Sequence, residues 1–185
     1  MPGGNGQEEL TRIGIISDTH NLVRPEALDA LQGVAHIIHA GDICKQAVLD
    51  ALAPFAPLTV VRGNNDIGDD VAQLPEQARI ELEGATIHVV HDIADMPGNL
   101  DGVDVVITGH SHKPVIERRG GVLFVNPGSA GPRRFRLPIS LALMDIEKGR
   151  VVNCTLNCPQ KLDIDLTFWG VFHGEVQRAV PAASS

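Results

Sequence analysis

Residues 13–20 read Ile13-Gly14-Ile15-Ile16-Ser17-Asp18-Thr19-His20. Four apolar-run residues end abruptly in a carboxylate and an imidazole. In an α/β protein this is a buried strand that delivers Asp18 and His20 to its C-terminal tip. The crevice outside the carboxyl ends of the strands is where open α/β sheets place their sites. A polar residue at a strand end is also ordinary loop chemistry, so the pair alone decides little. Its weight comes from recurrence: an apolar run followed by Asp, Asn or His appears four more times along the chain.

Working outward, Pro25 suits the first position of a helix, and Ala27, Leu28 and Leu31 follow at helical spacing until Gly33. Residues 35–39 form a second short apolar run, stopping at Gly41-Asp42. A helix over 45–52 ends at Pro54, and a third run, 58–61, opens into Arg62-Gly63-Asn64-Asn65-Asp66. Strands joined in this way are expected to be parallel, with right-handed crossovers. From residue 79 the pattern changes. Short apolar runs over 79–83, 85–90, 103–108, 113–118, 122–125, 140–146 and 151–156 are separated by glycine-bearing turns and read as a meandering sheet. Two packed sheets flanked by helices reconcile the halves.

The 185 residues suit one domain, with 43% hydrophobic and 21% charged residues. No apolar run is long enough for a transmembrane helix. Residues 1–10 lack the basic and apolar regions of a signal peptide and read as a flexible arm. Residues 11–158 carry the domain pattern. In the 159–185 extension, Leu166, Phe168, Trp169, Val171 and Phe172 must bury against something, either their own domain or a partner subunit, so a homodimer contact is one expectation; the last residues are expected to be disordered. Cys44, Cys154 and Cys158 are odd in number, which argues against a disulfide scaffold and for a reducing cytoplasm; Cys154 and Cys158 read as structural. A net charge of −8 argues against general nucleic-acid or membrane binding, but not against a small phosphoester held through metal ions.

The strand-end residues are Asp18, His20, Asp42, Asn64, His91, His110 and His112. Two carboxylates, one amide and four imidazoles, with no thiolate, suit Mn²⁺, Fe, Zn²⁺, Ni²⁺ or Co²⁺. Seven ligands exceed one ion's needs and fit two ions about 3.5–4 Å apart sharing a bridging carboxylate. A lone strand histidine is usually structural, which is the reading for His36, His88 and His173; His39 precedes Gly41-Asp42 and could support it from behind, but the structural reading is favoured there too.

These motifs, Ser17-Asp18-Thr19-His20, Gly41-Asp42, Gly63-Asn64-Asn65-Asp66, His91 and Gly109-His110-Ser111-His112, resemble the calcineurin-like metallophosphoesterase superfamily in order and spacing, and within it the small single-domain phosphodiesterases of bacteria and archaea. Asn126-Pro127-Gly128-Ser129 matches a turn of that branch, and the resemblance covers about residues 11–155. It implies an α/β fold of two packed mixed β-sheets flanked by helices, a four-layer αββα sandwich. It implies two divalent ions, manganese foremost, with Asp18, His20 and His112 on one, Asn64, His91 and His110 on the other, and Asp42 between them. It implies hydrolysis of a small phosphodiester by in-line attack at phosphorus, with Asn65 and Asp66 in catalytic places.

The chain departs from the family pattern twice. Asn65 stands where the wider superfamily often has histidine, and an amide cannot deliver a proton near neutrality, so activated leaving groups are favoured. Asp92 stands where glycine is commoner; it could repel phosphate or act as a further ligand. Arg133 and Arg134, with Arg136 behind them, are either phosphate contacts or a solvated basic loop. A phosphomonoesterase shares the metal chemistry. A non-catalytic protein-binding scaffold also exists on this fold, in a subunit of the eukaryotic retromer complex.

Overall fold

The computed structural model describes residues 10–68, 70–134 and 136–158. The expectations for the N-terminal arm and for the 159–185 extension, including the dimer contact around Trp169, lie outside them.

Strand β1 (Thr11–Ile16) leads to α1 (Pro25–Ala30), β2 (His36–His39), α2 (Gln46–Leu52) and β3 (Leu58–Val60). β1, β2 and β3 are parallel, with Ile16 level with His39 and His39 level with Val60. Their carboxyl ends therefore coincide. Then come β4 (Gln77–Leu82), β5 (Ala85–Val90), β6 (Val105–Ile107), β7 (Val115–Arg119) and β8 (Val122–Asn126), and lastly β9 (Leu141–Glu147) and β10 (Arg150–Asn157). The first sheet has the order β10-β9-β1-β2-β3 and the second β4-β5-β6-β8-β7.

Both sheets are mixed, as the sandwich requires, but the second half is not the plain meander expected from its sequence. β4–β5 and β7–β8 are antiparallel hairpins, while β5, β6 and β8 run parallel, with Val89 level with Ile107 and Ile107 level with Val125. The crossovers between them contain only a 3-10 turn over Ile93–Asp95 and strand β7, so no helical periodicity betrays them. β9 and β10 return to the first sheet, β9 antiparallel to β1.

Alternation along β1 builds the layers. Ile13 and Ile15 face the second sheet and pack with Ile38, Ile87, Val105 and Ile107; each fully buried side chain of this kind contributes about 1.5–3 kcal/mol. Ile16 faces the other way, toward Leu31, Val48 and Leu52 of the helical layer. Gly14 shares that outer face, and a β-carbon there would overlap Leu31, so glycine lets α1 settle directly on the strand. The outer face of the second sheet is covered more thinly, by Met96 and Leu100 over Val103, Val106 and Phe124. No described helix is long and apolar enough to cross a membrane.

Candidate metal centre

The two sets of parallel strands open at one edge, and backbone hydrogen bonds tie their tips together. Asp18 N donates to Gly41 O (3.0 Å) and His20 N to Asp42 O (2.9 Å), prolonging the β1–β2 ladder past the strands. Gly109 N donates to His91 O (2.9 Å), and Ala130 N to Ser17 O (3.1 Å). His91 Nδ1 reaches across the sheets to donate to Ala40 O at 2.7 Å.

Five of the seven ligand candidates hold a left-handed backbone: Asp18 (φ 53°), His20 (43°), Asp42 (58°), His110 (62°) and His112 (57°). For a residue with a β-carbon this costs about 1–2 kcal/mol each. Strain repeated at one edge marks a functional constellation. Two glycines allow the close approach. A β-carbon at Gly63 would overlap Asp42 Oδ1, and one at Gly109 would overlap Ser17 Oγ and crowd Asp18.

Around Asp18 one cluster forms. Its Oδ2 accepts from Ser17 Oγ (2.7 Å) and from His110 N (3.1 Å). Its Oδ1 is buried and accepts no hydrogen bond, although His112 Nε2 lies 3.2 Å away. His20 Nε2 is 3.3 Å from His112 Nε2 and 3.9 Å from the same Asp18 oxygen. Arg134 reaches over from the exposed loop to donate to His20 Nε2 at 3.3 Å, so that nitrogen offers a lone pair. Burial, with help from Arg134 and His112, outweighs Asp42 and Asp18 and lowers the pKa of His20, which favours the neutral, ligating form.

A second cluster forms around Asn64. Its Oδ1 lies 3.2 Å from His91 Nε2 and 3.0 Å from His110 Nδ1. Asp42 stands between the clusters, Oδ2 at 3.7 Å from His20 Nε2 and Oδ1 at 3.5 Å from His91 Nε2. Burial opposes the charge on Asp42, but the His91 contact and the Asn65 donors win and hold its carboxyl well below the ordinary range.

The donor set fits divalent cations. Ligands about 2.0–2.2 Å from a tetrahedral ion lie about 3.3–3.6 Å from one another, and the spacings within the clusters, 3.0–3.9 Å, bracket that range. The orphaned, buried Asp18 Oδ1 lacks a partner that a cation supplies. Two sets of acidic and imidazole residues, Asp18 with His20 and His112, and Asp18 with Asp42 and His91, could each hold an ion. The first is the set expected from sequence. The second brings Asp18 beside Asp42 as an additional shared carboxylate.

Two expected catalytic residues have other work in this geometry. Asn65 N donates to Asp42 Oδ1 (2.9 Å) and Asn65 Nδ2 to Asp42 Oδ2 (2.7 Å), so the amide clamps the carboxylate between the clusters. Asp66 is fully buried and accepts from Asp42 N (2.9 Å), Gly63 N (2.7 Å) and Cys44 N (2.6 Å). It is a positioning residue that locks the Asp42 and Asn64 loops together. Of the three arginines, Arg134 is the one whose described contacts reach the centre; Arg133 and Arg136 are exposed.

Sequence reasoning missed further supports. Asn126 Nδ2 donates to Gly109 O (2.7 Å) and to Ser111 Oγ (3.1 Å), bracing the His110 loop. Ser129 Oγ donates to Asp18 O at 2.9 Å. Both belong to the Asn126–Ser129 turn, whose motif was the available signal. His39 is neutral: burial pushes its pKa down to about 4, Gly41 N donates to its Nδ1, and its Nε2 donates to Thr19 Oγ1 (3.0 Å). Beside the second cluster lies a cavity of about 480 Å³, lined by Arg62, Ile67, Asp92, Asp95 and His110 among others.

Two mixed sheets with carboxylates and imidazoles converging at one edge define an α/β sandwich built to handle cations. The chain belongs to the calcineurin-like phosphoesterase superfamily, whose domain matches residues 11–149. Over 132 residues it is 36% identical to Probable metallophosphoesterase MJ0623 of Methanocaldococcus jannaschii, covering 63% of this chain and 67% of the relative. It is 27% identical over 158 residues to Phosphodiesterase MJ0936 of the same organism, covering 74% and 94% of the two chains. Vacuolar protein sorting 29 of Cryptosporidium parvum shares the fold, with a TM-score of 0.65 at 20% identity, covering 80% of this chain and 97% of that one.

Proposed function

We propose that the chain is a phosphodiesterase dependent on two divalent metal ions, manganese foremost, acting on a small phosphoester in the cytoplasm. The observation that carries the reading is Asp42. Its two carboxylate oxygens turn toward different imidazoles, and each of those belongs to a separate donor cluster. Asp18, His20 and His112 would hold one ion, Asn64, His91 and His110 the other, and Asp42 would join them. When bound, such a pair holds phosphoryl oxygens and lowers the pKa of water enough to supply the nucleophile.

The chain's own residues do the rest. Asn65 fixes both oxygens of Asp42 with two donors, so the carboxylate does not rotate away. Asp66 fixes the backbone beneath it. Arg134 brings a guanidinium to the mouth of the first cluster, where its fork matches two phosphate oxygens. Asn65 has no proton to give a departing alkoxide, which favours aryl and other activated diesters. The relative named a phosphodiesterase supports a diester substrate.

The left-handed backbone at five ligand candidates speaks against the scaffold alternative, because a binding platform elsewhere on the fold has no use for that strain. The test is hydrolysis of bis(p-nitrophenyl) phosphate by metal-stripped protein with Mn²⁺ added back, beside p-nitrophenyl phosphate. Metal-dependent turnover of the diester, faster than of the monoester and abolished in Asp42→Asn, is expected. A faster monoester reaction would make the enzyme a phosphomonoesterase. No turnover with Mn²⁺, Ni²⁺, Zn²⁺ or Co²⁺ would favour the scaffold.

A further inference from the structure

The outer nitrogens of the candidate ligating histidines are not treated alike. His91 Nδ1 donates to Ala40 O, which leaves Nε2 as the inward nitrogen. His112 Nδ1 is buried with no partner. His110 turns Nδ1 inward, 3.0 Å from Asn64 Oδ1, and Nε2 outward, 3.5 Å from Asp92 Oδ2.

His110 is also the least enclosed of the four. Its side chain is 46% exposed, against 11% for His20, 6% for His91 and 8% for His112. Packing therefore does not fix this ring, and a half-exposed ring on a left-handed loop residue needs another restraint. Asp92 is placed to provide one. Its Oδ1 accepts from Ala94 N at 3.0 Å, capping the 3-10 turn, and that bond aims Oδ2 at the ring.

We infer that Asp92 is the positioning residue for His110, accepting from Nε2–H so that Nδ1 is left as the ligating nitrogen beside Asn64. The inference rests on the two-ion reading above. A lone pair at Nε2 facing a carboxylate is repulsive, so Asp92 selects the Nε2–H tautomer. Nδ1 and Asn64 Oδ1 then present lone pairs to each other across 3.0 Å, which a shared cation resolves. Ligating histidines usually give their outer N–H to a carboxylate, carbonyl or water, and losing that partner typically costs 10–100-fold in metal affinity. Of the two roles open for Asp92 from sequence, phosphate repulsion and direct ligation, neither is needed.

Two substitutions separate these possibilities. Asp92→Ser keeps an oxygen for Ala94 N but is too short to reach His110. Asp92→Asn keeps both the cap and an acceptor for Nε2–H while removing the charge. Calorimetric titration of the metal-stripped full chain with Mn²⁺ should show one of two dissociation constants raised about 10–100-fold in Asp92→Ser, the other held within about 2-fold, and Asp92→Asn close to wild type. Nitrogen-15 NMR of the Zn²⁺-loaded wild type should show His110 protonated at Nε2. Unchanged affinity in Asp92→Ser, Asp92→Asn as weak as Asp92→Ser, or His110 metallated at Nε2 would each overturn the inference and leave the two-ion reading standing. A wild type that binds no Mn²⁺ would overturn both.

Discussion

Replacing Asp66 by alanine removes a carboxylate that no solvent reaches and that three backbone donors share. Asp42 N, Gly63 N and Cys44 N approach it at 2.9, 2.7 and 2.6 Å. Hydrogen bonds to charged groups are worth about 1.5–3 kcal/mol each, so the three sum to about 4.5–9 kcal/mol. Asn64 and Asn65, in the same loop, are exposed, so water enters the vacated space and the loop relaxes. The expected net loss is about 3–5 kcal/mol, large for a single substitution. Asp66→Asn retains one acceptor oxygen but turns an NH₂ toward at least one of the three donors, and about 1.5–3 kcal/mol is expected. The assay is urea unfolding of metal-stripped protein, so that lost cations do not enter the comparison. A loss below about 1 kcal/mol in Asp66→Ala would refute the reasoning and mean that the Asp42 and Asn64 loops hold their geometry without this residue.

Arg134→Ala should raise KM for an aryl diester about 10–100-fold, the equivalent of one charge-assisted contact, with Arg133→Ala shifting it less; steady-state kinetics check this, and an unchanged KM in Arg134→Ala removes the phosphate contact. Mn²⁺ affinity should fall as pH drops. Burial opposes protonation of His91, but Asp42 and the Ala40 carbonyl outweigh it and raise its pKa, and a ligating imidazole must first lose that proton. The stability of the metal-stripped protein has the opposite sign: the contribution of His91 is fully present below the unfolded value of about 6.5 and is lost as pH rises through the raised folded value. Calorimetry at several pH values tests the coupling, and a pH-independent affinity would contradict it.

The edge of the sandwich was legible because strand periodicity and ligand chemistry sit side by side in the sequence. Ile15-Ile16 gives the strand and Asp18-Thr19-His20 its polar tip, and the parallel register of β1 and β2 then brings Asp42 alongside. The parallel run β5-β6-β8 was not legible, because its crossovers carry a 3-10 turn and a hairpin strand rather than an amphipathic helix. The work of Asp66 and Asn65 was hidden for another reason. Their partners, Asp42 and Cys44, lie more than 20 residues away in sequence and meet them only through the β2–β3 pairing. Asp92 shows the same limit. Its neighbour His91 is adjacent in the chain, yet the ring it faces is His110, brought there by the pairing of β5 with β6.

The central claim is that Asp42 joins two ions. Electron paramagnetic resonance of the metal-stripped protein reloaded with Mn²⁺, read beside the metal-to-protein ratio, tests it most directly. Two ions about 3.5–4 Å apart across a carboxylate are exchange-coupled. The wild type should take up two Mn²⁺ per chain with a coupled signal, and Asp42→Asn should lose the coupling. A wild type that takes up one Mn²⁺ per chain with the signal of an isolated ion would contradict it.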